Sequence, residues 1–241
     1  MRKNKKIVVI TLSVLLVAMT ATFGVLYAFV WRVPSAEQIF QNSMDFVVEV
    51  KAQNSEESQA FGTAVLVSNK GEFLTNAHVV TYRSLGVKHE YLEYHIRFCF
   101  ETDYRQVELT RYNAELDVAV IKLKEMPSFE LKPAKIGDST KLKSGQTVYA
   151  VGNSQNYGIS ISQGLIGIPI IEIEYDELTR RVIQCDLTIT EGNSGGALLD
   201  NRGRLIGLTT FRIRDQKGNP VYGIAYCVPI NTAIEFYEAQ Y

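Results

Sequence analysis

Three residues in this chain have the types needed for acyl transfer. Ser194 lies in Gly192-Asn193-Ser194-Gly195-Gly196, His78 in Thr75-Asn76-Ala77-His78-Val79-Val80, and Asp117 in Leu116-Asp117-Val118. A serine hydroxyl is a poor nucleophile until a base takes its proton, and an imidazole suits that task near neutral pH. A carboxylate in turn fixes the imidazole tautomer and stabilises its charged form. The glycines around Ser194 reach backbone conformations that a Cβ resists. That freedom lets the Gly192 and Ser194 amides aim at one point, as an oxyanion hole requires. Read singly, each residue has a plainer account: a glycine-rich turn with an incidental serine, a structural histidine, and an edge-strand acid facing water. Together, in the order His78, Asp117, Ser194, they make a coherent hydrolytic set. His89 and His95 lie in an irregular polar segment and read as surface residues.

The elements that must position these residues are short strands. Phe46–Val50 is rich in β-branched residues, and residues 51–60 read as a polar loop. Phe61–Leu74 predicts a hairpin turning at Asn69-Lys70-Gly71. Residues 81–95 are less regular, with strands following near Ile96–Phe100, Tyr104–Arg111 and Leu116–Leu123. Pro127 and Pro133 mark a connector. Further strands are expected at Val148–Val151, at Ile159–Ile173 (broken by Gly164, Gly167 and Pro169), at Val182–Thr190, at Ala197–Leu199 with Leu205–Phe211, and at Val221–Val228. Asn231 is expected to cap a terminal helix running to about Gln240. Many short strands and almost no helix indicate an all-β sandwich or barrel.

The first residues read as a targeting element. Arg2, Lys3, Lys5 and Lys6 precede an uncharged stretch, Ile7–Trp31. As a helix it is long enough to cross a bilayer. The charge bias places residues 1–6 in the cytoplasm and the remainder outside, with Tyr27 and Trp31 at interfacial positions. An uncleaved anchor at 7–31 is expected in a cell membrane crossed once; a cleaved signal peptide is the alternative. Residues 32–45 read as a juxtamembrane linker with a short helix, capped by Ser35 and Gln38 in a capping box. Without the four leading basic residues the chain has 21 Lys+Arg against 26 Asp+Glu, a net charge of −5. No basic stripe exists, so nucleic-acid binding is not expected. Three cysteines, Cys99, Cys185 and Cys227, allow at most one internal disulfide, and Cys185 and Cys227 read as bridged or as two buried thiols.

The order and contexts of the three residues resemble the HtrA/Deg branch of the trypsin-like serine proteases. Phe61–Ser68 with Leu74–Val80 is similar to that branch's histidine segment, and Asp117–Lys122 to its aspartate strand. Ile136–Ser139, Lys143–Gly145 and Val151–Asn153 are similar to its connector and second-barrel start. Gly192–Leu198 is similar to the nucleophile segment, and Leu205–Gly207 and Gly223–Pro229 to the strands after it. The resemblance covers about residues 46–232. It implies two six-stranded antiparallel β-barrels with a C-terminal helix, barrel one at about 46–130 and barrel two at about 131–230. It implies His78 as general base, Asp117 as orienter, Ser194 as nucleophile, and Gly192 and Ser194 amides as oxyanion hole. Thr188 would floor the primary pocket, with walls from Leu208, Thr209, Thr210, Phe211 and Ala225. No acid lies among these, so a small or medium apolar residue is expected before the scissile bond.

The chain departs from the branch at Ser154, where a proline is usual, and at Thr190-Glu191, where Asn-Pro is common. After the terminal helix, the peptide-binding domain that many relatives carry is not expected. Neither a cofactor nor a metal is implied. The expected partners are protein or peptide substrates and the membrane through 7–31; a homo-oligomer is one option, and the sequence leaves the oligomeric state open. The role expected is quality control or processing of proteins outside the cytoplasm. The reading from another class is a catalytically silent member of the fold that serves as a binding or scaffold domain.

Overall fold

Pairs of β-branched strands joined by glycine turns close into barrels here, because closure removes the sheet edges that would otherwise stay unpaired. A computed structural model describes residues 2–27, 33–55, 58–175, 178–212, 219 and 221–239. It divides into two units, Met1–Pro34 and Ser35–Tyr241.

The first unit holds helix α1 (Arg2–Leu26). Its described apolar side chains, among them Leu12, Leu16, Met19 and Phe23, are exposed. Among the described residues no helix is long and apolar enough to cross a membrane. The side chains of residues 7–9, and residues 28–31 with Trp31, lie outside the described residues.

The second unit opens with α2 (Ala36–Ser43), which has the expected capping box between Ser35 and Gln38. Its Ile39 is 1% exposed and belongs to the main core. The segment expected as a linker is therefore packed against the barrels, because an apolar residue on so short a helix gains most by burial.

Barrel one contains β1 (Val47–Ser55), β2 (Ser58–Ser68), β3 (Glu72–Thr75), β6 (Glu93–Phe98), β7 (Arg105–Asn113) and β8 (Val118–Leu123). They close in the order β1-β2-β3-β8-β7-β6. After β3 comes a single helical turn, α3 (Ala77–Val80), then the hairpin β4 (Thr81–Ser84) and β5 (Val87–Glu90). Barrel two closes in the order β10-β11-β14-β13-β12-β9. Its strands are β9 (Thr147–Asn153), β10 (Ile159–Tyr175), β11 (Leu178–Asp186), β12 (Ala197–Asp200), β13 (Leu205–Phe211) and β14 (Ala225–Pro229). Helix α4 (Ile230–Glu238) ends the described chain. The expected double six-stranded architecture and C-terminal helix are thus present.

Four local expectations are corrected. Most of residues 51–60 is strand rather than loop: β1 and β2 stay in register from Val47↔Val65 to Gln53↔Gln59, and one irregularity precedes the last pair, Ser55↔Ser58. Polar side chains there do not break the ladder, because the ladder is a backbone property and one face of the hairpin meets solvent. The irregular stretch 81–95 contains the β4–β5 hairpin, turned by Leu85 and Gly86, both at positive φ. The register of β10 shifts around Gly167 and Pro169 without ending the strand, and Gly164 stays in register opposite Val148. Pro229, not Asn231, is the N-cap of α4; Asn231 is the second residue of the helix and its Oδ1 accepts from the Ser139 amide and hydroxyl at 2.8 and 2.7 Å. Gln240 lies outside the described residues. Cys185 and Cys227 are buried free thiols on β11 and β14, and Cys99 is an exposed one. A hydrogen bond with Cys185, with burial, pushes the Cys227 thiol well up.

Candidate active site

His78 sits on α3, directly after β3, so its backbone is fixed by a strand on one side and a helical turn on the other. Asp117 immediately precedes β8 and pairs with His78 across that turn. The Nδ1 of His78 lies 2.9 Å from Oδ2 of Asp117 and 3.1 Å from Oδ1, and the His78 amide donates to Oδ1 at 3.1 Å. A carboxylate only accepts, so the proton lies on Nδ1 and Nε2 is left as an acceptor. Thr210 also donates its hydroxyl to Oδ2 of Asp117. Burial alone would push Asp117 up; the His78 ring beside it and the bonds from His78 and Thr210 hold its carboxyl below the ordinary value.

The backbone of Asp117 is held as firmly as its side chain. Its φ is +54°, a left-handed conformation that Asp tolerates better than most residues. Asn76 donates its side-chain amide to the Asp117 carbonyl at 2.8 Å. Asn113 Oδ1 accepts from the Glu115 and Leu116 amides, both at 2.9 Å. From barrel two, Arg180 on β11 reaches the same turn: its guanidinium donates to the Glu115 carbonyl at 3.0 Å and the Ala114 carbonyl at 3.2 Å.

The Ser194 turn is clamped from both barrels. Thr63 on β2 donates its amide to the Ser194 carbonyl at 2.8 Å and its hydroxyl to the Gly192 carbonyl at 2.7 Å. The same hydroxyl accepts from the Asn153 amide at 2.9 Å. Gly195 donates to the Thr209 carbonyl at 2.8 Å, and the Thr209 hydroxyl donates to the Asn193 carbonyl. Two of the turn's glycines combine a positive φ with no room for a Cβ. A Cβ at Gly192 (φ +90°) would lie 2.1 Å from the Asn153 carbonyl oxygen, and one at Gly195 (φ +82°) 2.1 Å from that of Thr63. The Gly192 and Ser194 amides have no hydrogen-bond acceptor among the described residues.

Ser194 donates its hydroxyl to the Thr210 carbonyl at 3.0 Å. The site residues are therefore linked through Thr210, whose hydroxyl holds Asp117 and whose carbonyl holds Ser194. The two departures from the expected motif meet here as well. Ser154 donates its hydroxyl to Asn193 Oδ1 at 2.9 Å, and the Gln155 amide donates to the Glu191 carbonyl at 2.6 Å. Gln155 and Asn156 both have positive φ, at 53° and 61°.

The expected pocket residues divide in two. Thr188 is exposed and Phe211 half-buried. Leu208, Thr209, Thr210 and Ala225 are at most 2% exposed. Leu208 packs in the main core and the two threonines brace the serine and aspartate turns. Beside His78 and Asp117 a cleft of about 510 Å³ is lined also by Arg83, Lys88, Tyr175, Arg180 and Phe211. Tyr175, at the end of β10, stacks on Phe211 with ring centres 3.8 Å apart. Sequence reasoning missed Arg83, Lys88, Tyr175 and Arg180. The one available signal was the run Arg180-Arg181 beside the apolar segment Val182-Ile183.

Residues 62–208, more than half the chain, match the model of the trypsin-like peptidase domain. A probable periplasmic serine endoprotease, DegP-like, of Buchnera aphidicola subsp. Baizongia pistaciae is 33% identical over 180 residues, covering 71% of this chain and 34% of the relative. The chloroplastic protease Do-like 1 of Arabidopsis thaliana is 30% identical over 177 residues, covering 72% of this chain and 38% of the relative. This chain thus spans about a third of the length of such relatives. The solved structure of the HtrA-type protease AlgW with tripeptide superposes with a TM-score of 0.72 at 26% identity, covering 85% of this chain and 63% of that one. The fold, the matched domain and these relatives together make this chain a member of the trypsin-like peptidase family, on its HtrA/DegP side.

Proposed function

We propose that the chain is a serine endopeptidase, anchored in a membrane by residues 7–31, that hydrolyses protein segments outside the cytoplasm in quality control or processing. The observation that carries the proposal is the 2.9 Å approach of His78 Nδ1 to Asp117 Oδ2, with Thr210 bonded to both Asp117 and Ser194.

In the reaction Ser194 rotates its hydroxyl from the Thr210 carbonyl to Nε2 of His78. Nε2 takes the proton as Ser194 Oγ attacks the scissile carbonyl. Asp117 stabilises the imidazolium that results, and the Gly192 and Ser194 amides receive the oxyanion. His78 then returns the proton to the leaving amine, and water repeats the sequence on the acyl-enzyme. Phe211, which lines the cleft, fits an apolar residue before the cut bond.

The test is a fluorophosphonate probe with a peptide-library digest. Wild type is expected to be labelled, and Ser194→Ala to lose labelling and about 10⁴-fold or more in rate. Absence of labelling in wild type under all conditions would instead support the silent binding domain. The resting bond from Ser194 to Thr210, rather than to His78, is the observation that favours that second reading. Dominant cleavage after Lys or Arg would refute the apolar pocket.

The anchor is supported by the basic cluster before Ile7, the uncharged stretch to Trp31 and the exposed apolar side chains of α1. The periplasmic relatives agree with an exported peptidase unit. The full chain is expected in the membrane fraction and a protein beginning at residue 33 in the soluble fraction; recovery of both in the soluble fraction would refute the anchor.

A further inference from the structure

On β11 the residues Arg180 and Val182 are buried, while Thr179 and Arg181 between and beside them are exposed. A strand alternates its faces, so a charge stands at Arg180 where the pattern calls for an apolar residue. Arg180 is 9% exposed. Its bonded partners among the described residues are two main-chain carbonyls, Glu115 at 3.0 Å and Ala114 at 3.2 Å, and its Nε–H has none. A guanidinium buried in this way, without a carboxylate bonded to it, is a costly means of holding a fold together. Its use lies in what the two bonds hold.

They hold the turn 114–117 between β7 and β8. That turn ends on Asp117 at φ +54°, a backbone conformation that a residue with a Cβ keeps only when its surroundings enforce it. A cavity of about 340 Å³ adjoins the turn, lined among others by Glu115, Leu116, Asp117 and Arg180. The turn therefore has space to shift into, and close packing alone does not fix it. Asn76 and Asn113 hold it from barrel one, and Arg180 holds it from barrel two. The planar fork of a guanidinium sets two carbonyls in one orientation; a point ammonium imposes no such plane.

The hairpin that carries Arg180 is itself fixed to the site. Near its tip Tyr175, paired with Leu178, stacks on Phe211. Phe211 follows Thr210, whose hydroxyl and carbonyl hold Asp117 and Ser194.

We infer that Arg180 is a positioning residue for the hydrolysis: through the Ala114 and Glu115 carbonyls it keeps the Asp117 carboxylate aimed at His78. The inference rests on the proposed function for the roles of His78 and Asp117. Without the guanidinium the turn relaxes towards the cavity, the carboxylate leaves Nδ1, and the imidazole loses the partner that fixes its tautomer. The barrel that supplies the nucleophile thus also sets the acid of the other barrel.

The test uses the full chain in detergent with two variants. Arg180→Met keeps the bulk of the stem and removes both bonds; kcat on a peptide substrate is expected to fall about a hundredfold, the scale of a misplacement of about 1 Å, with KM near wild type. Arg180→Lys keeps the buried charge and a donor, and is expected to lose only about tenfold, the size of one charge-assisted bond. The Nδ1 proton of His78, followed by proton NMR, is expected to shift or broaden in Arg180→Met. A merely structural arginine would change the amount of folded enzyme and leave kcat per folded molecule and this proton signal alone. If both variants keep the wild-type kcat and signal, or if the whole loss lies in KM, the inference is overturned. Should Arg180→Met not fold, a wild-type kcat and signal in Arg180→Lys overturns it equally, and the tenfold loss with a moved signal supports it. A signal that moves in a chain that hydrolyses nothing would sink the endopeptidase reading and leave the positioning; hydrolysis with both readouts unmoved would sink the positioning alone.

Discussion

Asp117 takes a left-handed backbone, is buried, and has every carboxylate bond directed at the site. Its lowered carboxyl value has a stability consequence. Burial alone would raise the value; His78 and the bonds from His78 and Thr210 reverse that. A group whose folded value lies below its unfolded one stabilises the fold above the unfolded value, ~3.9 for Asp, and loses that contribution as pH falls through the folded value. Asp117→Asn should therefore lower the urea midpoint at pH 7, with the gap to wild type narrowing below about pH 4. A gap independent of pH would refute this. Asn still fits the left-handed position, so the fold should persist, while turnover falls about 10⁴-fold because the imidazole tautomer is no longer enforced. Peptide hydrolysis by the folded variant checks the second part.

At the scale of elements, α2 shows what sequence can and cannot announce. Its capping box was legible because Ser35 and Gln38 satisfy backbone donors within one turn. Its membership of the core was not, because the burial of Ile39 depends on strands far away in sequence. Ile39→Ala should cost about 2–4 kcal/mol and Ser35→Ala about 1 kcal/mol, read from chemical denaturation. A wild-type midpoint for Ile39→Ala would mean that α2 does not belong to the cooperative unit. The same division holds elsewhere. The hairpin at Asn69-Lys70-Gly71 was legible from its turn residues. So were the three segments carrying His78, Asp117 and Ser194, whose local sequences are specific. The polar arms of β1 and β2, the continuity of β10 through its glycines, and the arginine reaching from β11 to the aspartate turn were not. Each is set by pairing across the sheet or between barrels, and no local pattern encodes it. Asn231 illustrates the converse: a good capping residue was drawn instead into bonds with Ser139, where its side chain satisfies two donors.

At the scale of the molecule, barrel one holds the serine turn of barrel two. Thr63 bonds Ser194, Gly192 and Asn153 from a single position on β2. Thr63→Val keeps the shape but leaves the Gly192 carbonyl and the Asn153 amide buried without that partner, at a cost of about 1–3 kcal/mol for each group. The variant is expected to unfold at lower urea and to react more slowly with the fluorophosphonate probe. Wild-type values in both measurements would show that the turn stands without its clamp.

The clamp also denies this molecule a hinge. Many enzymes admit a substrate by swinging two lobes apart and closing them again. Here such a swing would pull Thr63 away from the turn that carries Ser194, dismantling the site in the act of opening it. For the proposed endopeptidase, admission is then without such a swing, and the slackness of the visiting chain decides what passes before its residues are read. On the proposed function, a folded protein escapes by being stiff, and a damaged one is caught wherever a strand's length of it has come loose.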